Sequence, residues 1–227
     1  MTVTKTRLLA LIFLLPACVL LAAGQAPIPI EKEPMHRLKL ENDLVRVFDV
    51  LVPAGKTTLF HTHSFSGVSV RMSNAEMSEL FTDARTNDFK ARWGVVTYGS
   101  APPYSHIVIN KGKTDFRNIY VELKPRESSG EAVPPLIDVN AILIDNPVVR
   151  VNRRVLKPGE TTGPHTHVLN CLSVAVYDAE VEISSSGAPA RTIKAKVGDV
   201  VWQAAGTNHS IRNVGATDFV AIEIEIR

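Results

Sequence analysis

The last residues of the chain alternate strictly between apolar and charged side chains. The apolar positions are Ile222, Ile224 and Ile226, and the charged positions beside them are Glu223, Glu225 and Arg227. About one hundred positions earlier, Ile119, Val121 and Leu123 alternate in the same way with Tyr120, Glu122 and Lys124. Because successive side chains of a strand point to opposite faces, both segments are predicted to be strands with one apolar face.

Short apolar runs fill most of the remaining chain, and glycine or proline turn signals separate them. These signals lie at 53–55, 157–159, 187–189 and 198–199. Even spacing of short strands and turns predicts an all-β protein, either a barrel or a sandwich. The segment from Met77 to Phe89 is compatible with a short helix or with a strand and a loop.

The chain also repeats itself. Shifting the sequence by 104 positions, without a gap, matches one set of residues to identical residues, and a shift of 103 matches a second set nearer the end of each copy. In the first copy the matched residues include Asn42, Val45, Arg46, Val47, Gly55, Thr57, Thr58, His61, Thr62, His63, Ser69 and Val70, followed in the second register by His106 and Asn110. The repeat predicts two tandem domains, 36–125 and 140–227, joined by a polar linker at 126–139.

The first residues differ from the rest of the chain. Lys5 and Arg7 precede an apolar run, Leu8–Ala23, and small residues follow up to Ala26. This order predicts a secretory signal peptide over 1–26 and therefore an exported protein, periplasmic or secreted. A retained membrane anchor and a lipoprotein acylated at Cys18 are the alternatives, and the run is shorter than the roughly 20 apolar residues that span a bilayer.

Charge and cysteine content exclude several classes of function. The formal net charge is +2, from 25 Lys+Arg against 23 Asp+Glu. Removing 1–26 subtracts Lys5 and Arg7 and no acid, so the mature chain carries 23 bases and 23 acids, a net charge of zero. Nucleic-acid binding by phosphate neutralisation is therefore not expected. With only Cys18 and Cys171, the chain has neither a CxxC pair nor a cysteine zinc cluster.

Histidines provide the candidate chemistry. Six of the seven form two equivalent triples, and only His36 stands outside them. The triples are His61, His63 and His106 in the first copy, and His165, His167 and His209 in the second. On a strand, residues i and i+2 share a face, so each His-Thr-His directs two imidazoles into one barrel, where a third can complete a metal site. Buried histidines bonded to one another are the alternative. Three imidazoles suit Fe, Zn, Ni, Mn or Cu better than Mg or Ca.

These motifs resemble those of the cupin superfamily. In the second copy the resemblance rests on Gly159, five further residues and His165-Thr166-His167, and then on Gly198-Asp199 and the segment 206–213 around His209. The first copy keeps Gly55 and His61-Thr62-His63, but its second motif is degenerate. The resemblance implies a bicupin with two jelly-roll β-barrels that pair within the chain. A homodimer is left open.

One feature departs from the usual cupin pattern. Most cupins supply a glutamate ligand after the second histidine, with three or four residues between the two, and neither copy has it. Gly67 or Val68 stands there in the first copy, and Cys171 or Leu172 in the second. The chain is thus similar to the three-histidine cupins, such as the cysteine dioxygenase and acetylacetone dioxygenase groups, which implies ferrous iron and dioxygenase chemistry.

Two further residues are candidates for the chemistry. Cys171 has the same strand parity as His165 and His167 and is either a thiolate ligand or a buried apolar residue. Tyr104, two residues before His106, is either a donor or acid/base group or a packing residue.

The leading hypothesis is an exported metal-dependent enzyme acting on a small molecule, with His165, His167 and His209 as the best-supported ligands. An oxidoreductase is favoured over an isomerase or lyase. A non-catalytic module that binds a small ligand or metal is the alternative. A further alternative is that only the second copy binds metal and the first is a degenerate structural partner.

Overall fold

The structure is a computed structural model, and it describes residues 26–99, 102–126, 141–185 and 187–227. It is almost entirely β, as the alternation predicts, and it contains four sheets in its described part. The predicted signal peptide lies outside the described residues apart from Ala26, and so does the predicted linker apart from Arg126. No helix in the described ranges is long and apolar enough to cross a membrane.

The N-terminal barrel consists of two five-stranded sheets and one 3-10 helix, Ile30–Lys32. Its strands are β1 (Ile28–Pro29), β2 (His36–Glu41), β3 (Val45–Val52), β4 (His61–His63), β5 (Gly67–Arg71), β6 (Ala75–Phe81), β7 (Thr86–Ala91), β8 (Val96–Gly99), β9 (Tyr104–Asn110) and β10 (Phe116–Leu123). One sheet has the order β1-β4-β9-β6-β7 and the other β2-β3-β10-β5-β8. The segment from Met77 to Phe89 is an antiparallel hairpin of β6 and β7, which settles the choice that its sequence left open.

The C-terminal barrel repeats this plan. Its strands are β11 (Ala141–Asp145), β12 (Val149–Leu156), β13 (His165–Thr166), β14 (Asn170–Ala175), β15 (Ala179–Ser185), β16 (Arg191–Ala195), β17 (Val200–Gln203), β18 (Asn208–Asn213) and β19 (Phe219–Ile226). They form one sheet in the order β11-β12-β19-β14-β17 and another in the order β13-β18-β15-β16. Each pairing has its counterpart in the first barrel, so the sequence repeat is a structural repeat.

Several of the repeated polar residues hold turns. Asn110 donates from Nδ2 to the carbonyls of Val52 and Thr114 at 2.9 and 2.8 Å. Asn213 donates in the same way to Leu156 and Thr217, at 2.8 Å in both cases. Buried amides that satisfy backbone carbonyls hold a loop in one conformation. The asparagines that recur between the copies therefore hold loops of the barrels in one conformation and do not belong to the histidine clusters.

The two barrels pack against each other through the outer faces of β3, β5 and β10 on one side and β12, β14 and β19 on the other. One cluster of buried residues spans both, including Val47, Ile119, Val121, Val151, Leu172, Ile222 and Ile224. The apolar face that alternation predicts in β10 and β19 is thus the contact between barrels. The other face of each strand, with Glu122, Glu223 and Glu225, points into the barrel and is also buried.

Candidate metal centres

The C-terminal barrel brings three imidazoles to one point. β13 pairs with β18 so that His165 lies opposite His209, and His167 follows two residues after His165 on the same side. Nε2 of His209 lies 3.0 Å from Nε2 of His167 and 3.1 Å from Nε2 of His165. All three side chains are buried, and their nearest ligand atoms lie within 4.8 Å of one another.

The arrangement suits a transition-metal ion. Nδ1 of His165 lies 3.1 Å from the carbonyl of Gly163, to which it can donate, and this leaves a lone pair on Nε2. One Nε2–H group at this point can be directed at only one of the other two nitrogens, so a cation satisfies the three lone pairs better than the imidazoles satisfy one another. Nitrogens bound at about 2.0–2.1 Å to one ion lie about 3 Å apart at the usual coordination angles. The separations of 3.0 and 3.1 Å match that spacing.

The N-terminal barrel has an equivalent cluster. His61 on β4 lies opposite His106 on β9, and Nε2 of His63 lies 3.2 Å from Nε2 of His106. Nδ1 of His61 lies 2.8 Å from the carbonyl of Leu59, as Nδ1 of His165 does from Gly163. Nε2 of His61 is buried and has no hydrogen-bond partner in the described part of the chain. This cluster also fits a cation, because a buried nitrogen without a partner is costly.

His36 belongs to this cluster, although the sequence places it outside both triples. Its ring centroid lies 4.7 Å from that of His61 and 6.2 Å from that of His63. His36, His61 and His63 form a group whose ligand atoms lie within 4.8 Å of one another, and the predicted ligand His106 lies outside this group. The cause is tertiary: β1 and the 3-10 helix place the start of β2 beside β4. No motif in the sequence reveals this contact.

Burial favours the neutral form of five histidines in these clusters. Desolvation, followed by the charge of His36, lowers the pKa of His61 to about 4. Desolvation and neighbouring histidines lower the pKa of His167 and of His209 to about 4, and those of His63 and His106 fall well below the ordinary value. Neutral imidazoles are the form that binds metal. Near pH 7 these five imidazoles therefore need no proton release before an ion enters.

The position of the usual cupin glutamate is closed in the N-terminal barrel. A Cβ built on Gly67 would lie 2.5 Å from the hydroxyl of Tyr120, so Tyr120 fills the space that a side chain there would need. Two other carboxylates lie near the outer nitrogens instead. Oε1 of Glu122 is 3.9 Å from Nδ1 of His63, and Oε1 of Glu79 is 3.7 Å from Nδ1 of His106.

A cavity adjoins the N-terminal cluster. A space of about 60 Å³ among His36, His63 and His106 shares Arg71, Glu79, Tyr104 and Tyr120 with a cavity of about 510 Å³. Tyr104 stacks on His63 with ring centroids 4.8 Å apart and an interplanar angle of 14°. Tyr104 therefore lies at the site, as its position two residues before His106 predicts.

Arg71 and the two tyrosines contribute charge and hydrogen-bonding groups to this cavity, which Glu79, Lys90 and Arg92 also line. The Arg71 guanidinium lies over the rings of Phe89 and Phe116, at 5.1 and 5.2 Å from their centroids. Desolvation raises the pKa of Tyr104 to about 12, although a hydrogen bond with Tyr120 opposes the rise. Tyr104 is thus a hydroxyl donor near neutral pH, which favours the donor role over that of a base. The sequence carries no motif for Arg71 or Tyr120.

The interior of the C-terminal barrel is different, because ion pairs and amides fill it. Arg154 donates from Nε to Glu223 at 2.7 Å, and Asn152 donates from Nδ2 to Glu225 at 2.7 Å. Cys171, at the position equivalent to Gly67, is fully buried. Desolvation and the charges of Glu223 and Glu225 raise its pKa well above the ordinary value, so it is a neutral thiol. The histidine group does not include Cys171.

Comparisons with solved structures agree with this architecture. AerE from Microcystis aeruginosa is 12% identical with a TM-score of 0.57, covering 86% of this chain and 98% of its own. A cupin 2 conserved barrel domain protein from Leptotrichia buccalis is 13% identical with a TM-score of 0.54, covering 85% and 88%. The fold is that of a bicupin. No protein-family profile matches the sequence, and no curated protein does.

Oxalate decarboxylase from Bacillus subtilis has the same bicupin fold. It is 13% identical with a TM-score of 0.56, and the match covers 81% of this chain and 68% of the enzyme. At such identity the likeness describes the bicupin fold and leaves the reaction open. The chemistry of this bicupin has to be inferred from its own two interiors.

Proposed function

We propose that this protein is an exported metal-dependent enzyme that acts on a small anionic molecule in its N-terminal barrel. The observation that supports this most is the cavity of about 510 Å³ that adjoins the histidine cluster and contains Arg71, Tyr104 and Tyr120. Its volume falls within the range of about 300–1,000 Å³ that is typical of small-molecule sites.

The residues around this cavity suggest distinct tasks. His61, His63 and His106 would hold the ion with neutral nitrogens, which leaves its positive charge undiminished. A bound transition ion supplies Lewis acidity and, for iron, dioxygen chemistry. Arg71 would pair with a carboxylate or similar anion of the substrate, because a guanidinium forms bidentate bonds to such groups. Tyr104 would donate its hydroxyl hydrogen bond to the substrate.

Dioxygenase-type oxidation is the reaction we favour, because three imidazoles without a carboxylate ligand resemble the iron-dependent three-histidine cupins. The test is oxygen uptake and product formation by the mature protein, loaded anaerobically with ferrous iron, across panels of thiols, β-diketones, flavonols and sugar acids. We expect uptake with an anionic or chelating member. A metal-loaded protein that consumes no oxygen and converts nothing would contradict the enzymatic proposal.

Arg71→Ala should raise the KM for the anionic substrate by tenfold or more with a smaller change in kcat, whereas Arg71→Lys should recover part of the loss. Tyr104→Phe should chiefly lower kcat. The matched control is His165→Ala, which alters the other barrel and should leave both constants unchanged. An equal loss of kcat in all of these variants would argue against catalysis in the N-terminal barrel.

A non-catalytic role is the second candidate, and it applies to the C-terminal barrel. There the buried pairs of Glu223 with Arg154 and Glu225 with Asn152 fill the interior. A histidine triad in a barrel whose interior is filled by side chains can hold an ion that stabilises the fold. Export is a separate proposal, tested by determining the N-terminal residue of the protein recovered from outside the cytoplasm, which we expect to follow Ala26.

A further inference from the structure

We propose that His36, oriented by Glu33, is a fourth imidazole ligand in the N-terminal barrel, so that the two barrels hold their ions with different ligand sets. The inference rests on the proposed metal site and concerns what completes it. It assigns a metal-binding role to a residue that lies outside both histidine motifs.

The contact between His36 and Glu33 is the first observation. Nδ1 of His36 lies 2.6 Å from Oε2 of Glu33, and both side chains are almost fully buried. The same carboxylate accepts hydrogen bonds from the backbone N–H groups of Met35 at 2.7 Å and Leu59 at 3.3 Å. Glu33 is therefore held firmly, and its bond to Nδ1 leaves Nε2 of His36 for the histidine cluster.

A carboxylate that fixes one imidazole nitrogen while the other nitrogen faces a group of histidines is the usual arrangement around metal-bound histidines. The carboxylate selects the tautomer and increases the basicity of the free nitrogen.

The second observation concerns the side from which a further protein ligand can reach the cluster. A side chain at position 67 on β5 cannot reach the cluster, because Tyr120 occupies the space beside Gly67. The β2 side is occupied by His36, whose ligand atom groups with those of His61 and His63 within 4.8 Å. His106 lies outside that group of three, although its Nε2 lies 3.2 Å from Nε2 of His63. A fourth nitrogen can therefore enter where β2 begins.

The C-terminal barrel has no histidine at the equivalent sequence position. The residue 104 positions after His36 is Asn140, and the residue 104 positions after Glu33 is Ile137. The repeat thus supplies a natural comparison within one chain. A four-imidazole site in the first barrel and a three-imidazole site in the second should differ in affinity and in spectroscopic signature.

The test uses the full mature protein with His165→Ala and His167→Ala, so that only the N-terminal site binds metal. Cu²⁺ is added at less than one equivalent, and pulsed electron paramagnetic resonance counts the coupled imidazole nitrogens. We expect one fewer imidazole in His36→Asn than in the parent, and an affinity for Zn²⁺, measured by chelator competition, that is at least tenfold weaker. Glu33→Gln should keep the imidazole count and weaken Zn²⁺ binding by about 10- to 100-fold.

Leu38→Asn is the matched control, since Leu38 lies on the same strand and is 51% exposed. It should change neither the imidazole count nor the affinity. Circular dichroism melting of the metal-free variants identifies any that fail to fold, and Glu33→Gln then carries the test. An identical spectrum and affinity in the parent, His36→Asn and Glu33→Gln would overturn the proposal. Because the readout is metal binding, a protein that binds through His36 but turns nothing over would refute only the enzymatic function.

Discussion

The two barrels share one backbone plan but have opposite interiors. The cross-strand pair Phe48–Tyr120 of the N-terminal barrel corresponds to Asn152–Glu223 of the C-terminal barrel, since both are opposed in the same register. In the sequence repeat Val50 corresponds to Arg154. Aromatic and aliphatic side chains in one barrel are thus replaced by an amide and an ion pair in the other.

One ion pair is common to both barrels. Arg46 donates to Glu122 at 2.6 and 2.9 Å, and at the equivalent position Arg150 lies 3.5 Å from Glu225. The cavity residues are not shared. In the sequence repeat Arg71, Glu79 and Tyr104 correspond to Ala175, Ile183 and Thr207. The comparison indicates that a duplicated barrel can keep its histidines while its interior changes from a cavity to a packed polar core.

Removal of each histidine cluster tests this contrast most strongly. We expect His61→Ala with His63→Ala to abolish ion binding in the N-terminal barrel together with all turnover. His165→Ala with His167→Ala should abolish the other ion and leave turnover intact. Elemental analysis and product formation measure the two effects. Turnover that disappears only with the C-terminal pair would reverse the assignment of the barrels.

Removing one charge from the buried network of the C-terminal barrel should destabilise the protein. Glu223→Gln removes the carboxylate that accepts the hydrogen bond from Nε of Arg154, and breaking a buried ion pair in this way typically costs about 3–5 kcal/mol. Tyr120→Phe, at the equivalent position of the other barrel, removes only a hydroxyl and should cost about 1 kcal/mol. Urea unfolding measures both. Equal costs would show that the two interiors are energetically alike.

Acid should destabilise the metal-free protein. Because the folded chain lowers the pKa of His61, His167 and His209 to about 4, the unfolded chain binds protons first as the pH falls below about 6.5. The free energy of unfolding should therefore decrease from about pH 6.5 to pH 4, by on the order of a few kcal/mol in total.

Nuclear magnetic resonance measures the pKa of each imidazole and so separates the contributions of the two barrels to this decrease in the free energy of unfolding. His167 and His209 should titrate near pH 4, and His63 and His106 should titrate well below the ordinary pKa of an imidazole. If all four imidazoles titrate near pH 6.5, the histidines are not desolvated in the way that the structure indicates.

The smallest difference between the two barrels should come from the turn asparagines, because their hydrogen bonds are alike in both. Asn110→Ala and Asn213→Ala each remove a side chain that satisfies two backbone carbonyls, at a cost of about 1–3 kcal/mol. The two costs should agree within about 0.5 kcal/mol in thermal or urea unfolding. A large difference would mean that the barrels differ in their turns as well as in their interiors.

Much of this architecture could be predicted from the sequence. The alternation in 119–124 and 222–227 predicts strands, the repeat predicts two equal barrels, and the motifs predict a bicupin, which is the fold observed. Each of these depends on local periodicity or on identity between copies. His165, His167 and His209 could be grouped for the same reason, since the i, i+2 rule and the repeat place them on facing strands.

Other features required the tertiary structure. The alternation of Ile222 and Ile224 with Glu223 cannot show which face points inward, because the apolar face packs against another barrel and the charged face is buried as well. His36 joins the N-terminal cluster only because the 3-10 helix and β2 bring it beside His61, from 25 residues away in sequence. The sequence by itself determined the repeated barrel and its histidines through local periodicity. The tertiary structure decided which interior holds a cavity, because that depends on contacts between strands far apart in the chain.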